Sequence, residues 1–538
     1  MNNDELWRHC DFFKRSFDEQ VAFGEEKLKG HIEAWRNTTT AKGICKDKEV
    51  KTVDDVPITE YEEYPFLSNF RDTIEDKVKI EPRGDCELWH DYYTRILDSI
   101  SYTLESYLPD KPSICIKTTG TTGKNKFVPH GVKFNEQFIS DTIAIILFGT
   151  AKEWGESVFD PKPNAFNLVA PVPYLSGWAL RYWENLINFI PPISFTDFTN
   201  DMGKKFYKAL KLIEEGNRIH IVGGSGALLY MTCKYFADPE YFMTESYKMS
   251  PSWWKKVLIL LNLFIVKARR RGTEDLREIM PLKGVIVGST DARLYADFFK
   301  KEFGVEPINS YSATEIGCAM FGRPDRKLDF FPNLRSVYPE FLDEKGEVKK
   351  VYELKRENVY EFIATPYYSA FTRYRIKDVF KVKDFYDGCP VFTFEGRTQN
   401  ILDILNYYRF SEDLMAKVIA DAGFKSSDRW VVSKIEPEQR LDIYFEKEWS
   451  VTAGQAERQI FDSMLKLVPG FDNYVKDFNV REPSQAVRVH FLNRGTFTRY
   501  TIKQARKNMP LGQYKPPKIV PTDKSYIIDE LKECSKNA

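Results

Sequence analysis

The sequence predicts an α/β protein with a large N-terminal domain of mainly parallel sheets plus a small β-rich subdomain, and a smaller α+β C-terminal mobile domain. Three observations predict this class. The chain has 538 residues, too many for one hydrophobic core. Between about residues 110 and 310, short apolar runs alternate with helical patterns, which favours parallel strands covered by helices. After about residue 335 the pattern changes to strands separated by turns.

The spacing of apolar residues predicts the helices and strands up to about residue 303. Up to about residue 100 we expect helices, since apolar side chains recur at helical spacing in Phe12–Phe23 and in Leu88–Leu104. Strands are then predicted at 112–116, 165–170, 219–222 and 284–288. Helices are predicted at 135–149, 178–189, 203–215, 225–237 and 291–303.

The pattern of the last third of the chain predicts two smaller parts. Strands at 359–364, 378–382 and 391–394 form the β-rich subdomain. A tail then combines helices and alternating strands, predicted at 412–422, 430–435, 441–446, 453–467 and 487–492. We expect two domains, 1–400 and 401–538, joined by a short hinge because no long Gly/Ser linker separates them.

Composition limits the class of protein. Lys+Arg and Asp+Glu both total 78, so the formal net charge is zero, which argues against a nucleic-acid binder. The eight cysteines are scattered without a C-x-x-C pair, as expected for reduced thiols in a cytoplasmic protein. The N-terminus has no apolar signal-peptide core. We expect a monomer or weak dimer.

One segment invites a membrane interpretation. Trp253–Arg271 contains two tryptophans, the apolar run Val257–Val266 and a basic end. The run is half the length of about 20 residues that a bilayer-spanning helix needs. We therefore expect a buried helix and no membrane contact, with surface attachment through the tryptophans as the alternative.

A polar loop follows the first predicted strand. The stretch Lys117–Lys126 contains four threonines, two glycines and three lysines. Glycines let backbone N–H groups approach an anion, threonine hydroxyls donate further hydrogen bonds, and lysines supply charge. A polyphosphate suits such a loop best, although the same residues also compose ordinary turns. The spacing is not that of a Walker A loop, G-x-x-x-x-G-K-[ST].

Three further signals follow along the chain. In the first, Tyr311 offers a flat ring face for a purine, Thr314 offers a hydroxyl for a phosphate oxygen, and Glu315 offers a hard oxygen ligand for Mg²⁺. The alternative is that the segment Tyr311–Glu315 is simply a helix cap. Asp378 opens a predicted strand and could chelate two ribose hydroxyls, with a salt-bridged β-turn as the alternative. Lys515 precedes two prolines that stiffen its backbone, unless this is a plain basic surface loop.

Aromatic residues recur in a fourth region. Tyr174, Trp178 and Tyr182 have a four-residue spacing and share one face if the stretch is helical. Either they pack in the core or they line a site for an apolar acid.

Taken together, these motifs resemble the Gretchen Hagen family of acyl acid–amido synthetases in the adenylate-forming superfamily. They appear in the family's order as Thr119-Gly-Thr-Thr122 with Lys126, Tyr311-Ser-Ala-Thr-Glu315, Tyr374-Arg-Ile-Lys-Asp378 and Gln513-Tyr-Lys-Pro-Pro517. Lys377 stands where the family usually has glycine. The loop after Gly123 is shorter than the family form and is similar to that of acyl-CoA ligases.

The resemblance implies a two-step reaction that uses ATP and Mg²⁺. A carboxylic acid attacks the α-phosphate to give an acyl-adenylate and pyrophosphate, and an amine then displaces AMP. The resemblance implies that this amine belongs to an amino acid. The implied phosphate-binding residues are Thr119, Gly120, Thr121, Thr122, Gly123, Lys126 and Thr314. For the nucleotide, the resemblance implies that Tyr311 contacts the adenine and that Asp378 and Arg397 contact the ribose. Glu315 would bind Mg²⁺, and Lys515 with Glu315 would be catalytic. The acid would be bound by Tyr174, Trp178 and Ser225.

Two alternatives remain open from the sequence. The first is an acyl-CoA ligase, in which a thiol replaces the amine. The second is a non-catalytic nucleotide-binding or membrane-associated protein, although such a protein would be expected to lose Lys515, Glu315 or Asp378.

Overall fold

The computed structural model describes most of the chain. The described residues are 2–117, 126–167, 171–194, 205, 208–209, 211–213, 215–224, 226, 229–230, 232–233, 276–288, 290, 292–397, 402–404, 408–424, 429–435, 440–446, 451–468, 471–472, 475, 480–505, 517–521 and 524–536.

The helices within these residues are numbered in chain order. They are α1 (Asn3–Trp7), α2 (Phe17–Trp35), α3 (Thr39–Cys45), α4 (Phe66–Ile80), α5 (Trp89–Ile100), α6 (Val132–Thr150), α7 (Leu175–Trp183), α8 (Leu276–Ile279), α9 (Ala292–Phe303), α10 (Glu412–Asp421), α11 (Ala453–Leu467), α12 (Thr496–Ala505) and α13 (Tyr526–Lys536).

The strands are numbered in the same way. They are β1 (Pro112–Lys117), β2 (Phe127–Gly131), β3 (Asn164–Phe166), β4 (Asn188–Ile190), β5 (Ile221–Gly224), β6 (Gly284–Val287), β7 (Ile308–Ala313), β8 (Gly317–Arg323), β9 (Arg326–Pro332), β10 (Val337–Leu342), β11 (Val348–Lys350), β12 (Val359–Pro366), β13 (Tyr374–Tyr386), β14 (Cys389–Arg397), β15 (Leu402–Ile404), β16 (Tyr408–Phe410), β17 (Trp430–Ile435), β18 (Arg440–Glu446), β19 (Val487–Leu492) and β20 (Ile519–Val520).

The chain divides into two compact units. The first consists of Met1–Tyr230, Glu274–Ile376 and Lys381–Thr393, and the second of Met231–Thr273, Lys377–Phe380 and Phe394–Ala538. The expected domain boundary between residues 400 and 401 stays a prediction.

A mixed twelve-stranded sheet dominates the fold, in the order β11-β10-β12-β13-β14-β9-β8-β7-β6-β5-β3-β4. Strands β4, β3, β5, β6 and β7 are parallel neighbours. Strand β7 is where the direction changes, because Ile308 and Asn309 pair in parallel with β6 while Ser310–Ala313 pair antiparallel with β8. The predicted α/β class with a mainly parallel part and a β-rich part is confirmed.

Helix α6 covers the parallel strands at close range. Its residues from Ile143 to Phe148 are all at most 4% exposed. Burying each such large aliphatic or aromatic side chain contributes about 1.5–3 kcal/mol. At Gly149 a Cβ atom would lie 2.8 Å from Ile308 and 3.0 Å from Ile286, so the absence of a side chain lets the helix approach β6 and β7.

The polar loop 118–125 has a different setting from the one expected. The sequence placed it beyond a strand of the parallel sheet. Instead, β1 pairs antiparallel with β2 in a separate two-stranded sheet, where Lys117 faces Phe127. A short connection can join antiparallel strands, whereas parallel strands need a crossover of a dozen or more residues. The loop itself lies outside the described residues.

The second unit contains a four-stranded sheet in the order β19-β18-β17-β20. Strands β17 and β18 are antiparallel, and each has a parallel outer neighbour. Helices α12 and α13 supply Phe497, Tyr500 and Leu531 to a core cluster that also contains Val431 and Tyr444 of this sheet. The α+β class predicted for the tail is confirmed.

Two predicted helices differ from the structure. The helical pattern Phe12–Phe23 is interrupted at Ser16, which caps α2: its hydroxyl accepts from the Glu19 N–H at 3.3 Å, and the Glu19 carboxylate accepts from the Ser16 N–H at 2.8 Å. The helix predicted at 178–189 ends at Trp183, because Asn188–Ile190 pair as a strand with β3.

The membrane interpretation cannot be followed to its segment, since residues 253–271 lie outside the described residues. In the part of the chain that the structure describes, no helix combines the length and apolar character needed to cross a bilayer.

A buried ion pair fastens α6 to the sheet. Asp141 accepts from the Arg335 Nε at 3.1 Å, from the Ser336 hydroxyl at 2.6 Å and from the Asn333 amide at 2.8 Å. Arg335 also donates to the carbonyl of His9. The pair of Asp141 and Arg335 thus joins α6, the segment between β9 and β10, and the N-terminal segment.

Arg335→Met should lower the free energy of unfolding by about 3–5 kcal/mol, because it leaves a buried carboxylate without its cation. Urea unfolding followed by circular dichroism measures this. Arg293→Met is the matched control: Arg293 pairs with Asp329 at 2.6 Å but is 37% exposed, and Asp329 keeps Arg326 and Lys383. Equal losses in the two variants would contradict the prediction.

Candidate functional site

A tight turn between β7 and β8 carries two predicted site residues, Thr314 and Glu315. The Thr314 hydroxyl donates to the Glu315 carboxylate at 2.6 Å, and Glu315 is only 9% exposed. No helix follows, so the helix-cap alternative for this motif is wrong. The turn lies just beyond the carboxyl end of β7, where the sheet changes direction, and such positions commonly bind ligands in α/β proteins.

The shape of this turn depends on Gly317. Its φ of +69° lies in the left-handed region that favours glycine. A Cβ atom there would also lie 3.0 Å from the Phe134 ring. The turn is therefore fixed both by backbone conformation and by contact with α6.

His130 holds the same turn from strand β2. Its Nε2 lies 2.7 Å from the carbonyl oxygen of Thr314 and must donate, because a carbonyl only accepts. Its Nδ1 is then free to accept from the Ser369 hydroxyl at 3.5 Å. The ring stacks on Phe134 with centroids 3.7 Å apart.

Burial keeps His130 neutral. It lowers the pKa of His130 from 6.5 to about 4, and the hydrogen bond to Thr314 opposes this only in part. The histidine therefore positions the turn without adding a positive charge beside Glu315. Sequence reasoning missed this residue, although it stands four positions after Lys126 in the same segment.

Two tyrosines lie within reach of the charge of Glu315. Burial, and then the negative charge of Glu315, raise the pKa of Tyr61 to about 12. The same two causes, in the same order, raise the pKa of Tyr374. The Lys126 ammonium lies 3.5 Å from the centre of the Tyr61 ring. The structure thus places Lys126, at the end of the polar loop, against a tyrosine that is within reach of the charge of Glu315. Tyr61 was not singled out from the sequence, and Tyr374 was quoted there only as part of a motif, without a role of its own.

Tyr311 occupies a buried position in β7. It is 5% exposed, and its ring meets Phe330 and Phe362 edge to face at 6.5 and 6.1 Å between centroids. These contacts are those of a core residue, and the adenine role of Tyr311 stays a prediction.

Asp378 lies within β13 and does not open a strand as expected, since β13 begins at Tyr374. It is 2% exposed. The preceding Lys377 has φ +66°, so a lysine adopts the left-handed conformation that glycine would adopt without strain. The backbone shape implied by the family motif is therefore kept without the glycine. Arg397 ends β14, and its side chain lies outside the described residues.

Two arginines at the start of this segment, Arg373 just before the motif and Arg375 within it, form structural ion pairs. Arg373 donates to the buried Glu340 at 3.0 Å, and Arg375 binds both oxygens of Glu361 at 2.6 and 2.9 Å. The alternative interpretation of this segment as salt-bridged is thus correct for the arginines, while the motif is a strand and not a turn.

Trp178 and Tyr174 pack beside β1. Trp178 is 2% exposed and donates its indole N–H to the Cys115 carbonyl at 2.7 Å. The Lys117 N–H donates to the Pro173 carbonyl at 2.9 Å, just before Tyr174 and α7. Burial raises the pKa of Tyr174 to about 12. These contacts show that Tyr174 and Trp178 pack in the core. Their role in binding the acid stays a prediction.

Several predicted site residues cannot be placed. Those outside the described residues are Thr119, Gly120, Thr121, Thr122, Gly123, Ser225 and Lys515.

The metal-ligating side chains near the turn fit Mg²⁺ only if a phosphate ligand supplies further oxygens. Among the described residues, no three His, Cys, Asp or Glu side chains come together as a metal-binding group. Mg²⁺ is commonly held by one or two carboxylates plus substrate phosphates, and Glu315 supplies one carboxylate.

His130→Asn should weaken the pH dependence of stability. Because the pKa of His130 is about 4 in the folded protein and 6.5 when exposed, acidification below pH 6.5 favours the unfolded chain. We expect the variant to lose about 2 kcal/mol less than wild type between pH 7.5 and pH 5. Urea unfolding at both pH values measures this, and parallel losses would contradict it.

Comparisons with known proteins point to one family. Residues 330–397 match the family model described as the GH3 family central domain. A curated relative from Oryza sativa subsp. japonica, the probable indole-3-acetic acid-amido synthetase GH3.7, is 25% identical over 206 residues. That alignment covers 35% of this chain and 32% of the relative, so the match spans about a third of the length of the curated protein.

Two known structures share the fold over nearly the whole chain. The AtGH3.15 acyl acid amido synthetase in complex with 2,4-DB has a TM-score of 0.67 at 14% identity, covering 99% of this chain and 97% of that chain. The 2-hydroxyisobutyryl-CoA ligase in complex with 2-HIB-AMP has a TM-score of 0.53 at 12% identity, covering 96% and 92%. Residues 330–397 thus match the GH3 family central domain, and the chain shares the fold of an acyl acid amido synthetase over nearly its whole length.

Proposed function

We propose that this protein is an ATP-dependent ligase that adenylates a carboxylic acid and transfers the acyl group to an amine, the amine being an amino acid. The observation that carries the proposal is the turn at the end of β7, where buried Glu315 accepts from Thr314 and where its charge reaches Tyr61, the tyrosine whose ring Lys126 contacts. The name of the curated relative supports an amide product.

In the first half-reaction, a carboxylate oxygen of the acid attacks the α-phosphorus of ATP. A new oxygen–phosphorus bond forms, and the bond to the departing pyrophosphate breaks. Negative charge accumulates on the phosphate oxygens, and cations and N–H groups fixed in advance stabilise it. Lys126 and the loop residues Thr119, Gly120, Thr121, Thr122 and Gly123 are proposed to hold the departing phosphates.

The turn supplies two further groups. The Thr314 hydroxyl can redirect its proton from Glu315 to an oxygen of the α-phosphate. Glu315 would then offer its carboxylate to Mg²⁺, which when bound neutralises charge on the phosphates. His130 joins β2 to the turn, so β2, which follows the phosphate loop in the sequence, and Glu315 keep their spacing. Asp378 with Arg397 is proposed for the ribose, and Tyr311 for the adenine.

In the second half-reaction, the amine nitrogen attacks the acyl carbonyl carbon, and the carbon–oxygen bond to AMP breaks. Lys515 is proposed to bridge the carboxylate and α-phosphate in the first step and to leave for the second. This requires the domain 401–538 to rotate as a lid on the domain 1–400, as lids do in other enzymes. Tyr174, Trp178 and Ser225 are proposed for the acid.

Glu315→Gln should lower Mg²⁺-dependent pyrophosphate release by about 100-fold or more, because it removes the charge of the proposed metal ligand. The assay mixes protein, ATP and a panel of carboxylic acids. Glu344→Gln is the matched control, since Glu344 is an exposed carboxylate in the hairpin between β10 and β11. Unchanged release in Glu315→Gln would remove Glu315 from the metal site, and silence of wild type across a broad panel would support a non-catalytic nucleotide binder.

The acceptor is tested separately. Hydroxylamine trapping first identifies the acid, and AMP release is then followed with amino acids or CoA added. We expect an amino acid to accelerate AMP release and CoA to leave it unchanged. Acceleration by CoA alone would instead establish the acyl-CoA ligase alternative.

A further inference from the structure

A cleft lies beside the candidate site but is lined by other residues. Its volume is about 320 Å³, and it is bordered by α2, α6, the start of β8 and the segment around Tyr368. Among the described residues, Thr314, Glu315 and Lys126 are not part of its lining. Ile316 and Gly317, which follow Glu315, form one wall. The volume falls at the lower end of the range of small-molecule sites.

Two lysines give one side of the cleft a positive charge. The ammonium groups of Lys27 and Lys133 lie 6.0 and 4.4 Å from the centre of the Tyr368 ring. In the part of the chain that the structure describes, neither ammonium forms an ion pair. Two like charges that approach the same ring repel each other, and an anion between them would relieve that repulsion.

Acidic groups of the cleft do not cancel this charge. The Asp141 carboxylate at the base is already used by Arg335, Asn333 and Ser336. Glu136 is an exposed residue on α6 and is the one other carboxylate in the described lining.

The remaining walls are apolar. Phe134 and Phe138 line the cleft from α6, with Ile316 and Tyr367 from the other sides. All four of these side chains are themselves buried, at 1–5% exposure. An occupant therefore needs an apolar body as well as a negative charge.

We propose that this cleft binds a small amphipathic monoanion, an aromatic or aliphatic carboxylate, at a site separate from the proposed adenylation site. The anionic group would lie between Lys27 and Lys133, and the apolar body would pack on Phe134 and Ile316. The proposal does not depend on the ligase function, because it concerns binding alone.

The test is calorimetric titration of the full chain with naphthoate and with neutral naphthylmethanol. We expect naphthoate to bind wild type and to lose about tenfold or more in affinity in Lys27→Gln/Lys133→Gln, since each substitution removes one charge-assisted contact. The binding should also weaken as salt is added to wild type.

The matched control is Lys29→Gln/Lys42→Gln, which removes two exposed lysines outside the cleft. It should bind naphthoate like wild type. Naphthoate that binds only at the proposed acid site would have the same affinity in both double variants, and this would overturn the proposal. Acetate that binds as tightly as naphthoate would also overturn it, because the apolar walls would then contribute nothing.

Discussion

The buried carboxylate of Asp141 is the constraint on which the first unit depends. It anchors α6 to the segment that follows β9 through Asn333, Arg335 and Ser336. Asn333 also donates to the Cys318 carbonyl at 2.8 Å, which extends the network to β8. A charge in such a place is tolerated only if it is paired and hydrogen-bonded, so all of these partners must be present together.

That network sets the position of the candidate site. Strand β8 begins directly after the turn that carries Thr314 and Glu315, and α6 brings Phe134 against both His130 and Gly317. The same helix therefore supports the turn through packing and supports the sheet through its ion pair. A neutral histidine then fixes the turn by one hydrogen bond, while Lys126 lies over the ring of Tyr61, which is within reach of the charge of Glu315.

Much of the fold could be predicted, and the misses have physical causes. Apolar periodicity located β5, β6, β12, β14, β17, β18 and β19 to within a few residues because those patterns are local, whereas β7 to β11, β15, β16 and β20 were not predicted. Apolar spacing within β1 does not say which strand it pairs with. The expectation of a parallel strand there was wrong, because β1 pairs antiparallel with β2. The helix beyond Trp183 was also wrong, because pairing of Asn188–Ile190 with β3 overrides local helical spacing.

The sequence by itself determined the family resemblance, the α/β class and the residue types of the candidate site, because the order of the motifs and the spacing of apolar residues depend on the sequence alone. Tertiary structure alone decided that His130 binds Thr314, that Tyr61 and Tyr374 come within reach of the charge of Glu315, and that Lys377 takes the conformation of a glycine. The first two of these interactions join residues far apart in the sequence, up to 254 positions in the case of Tyr61 and Glu315. Burial, which shifts the pKa values and selects the partners, exists only once those segments have packed together.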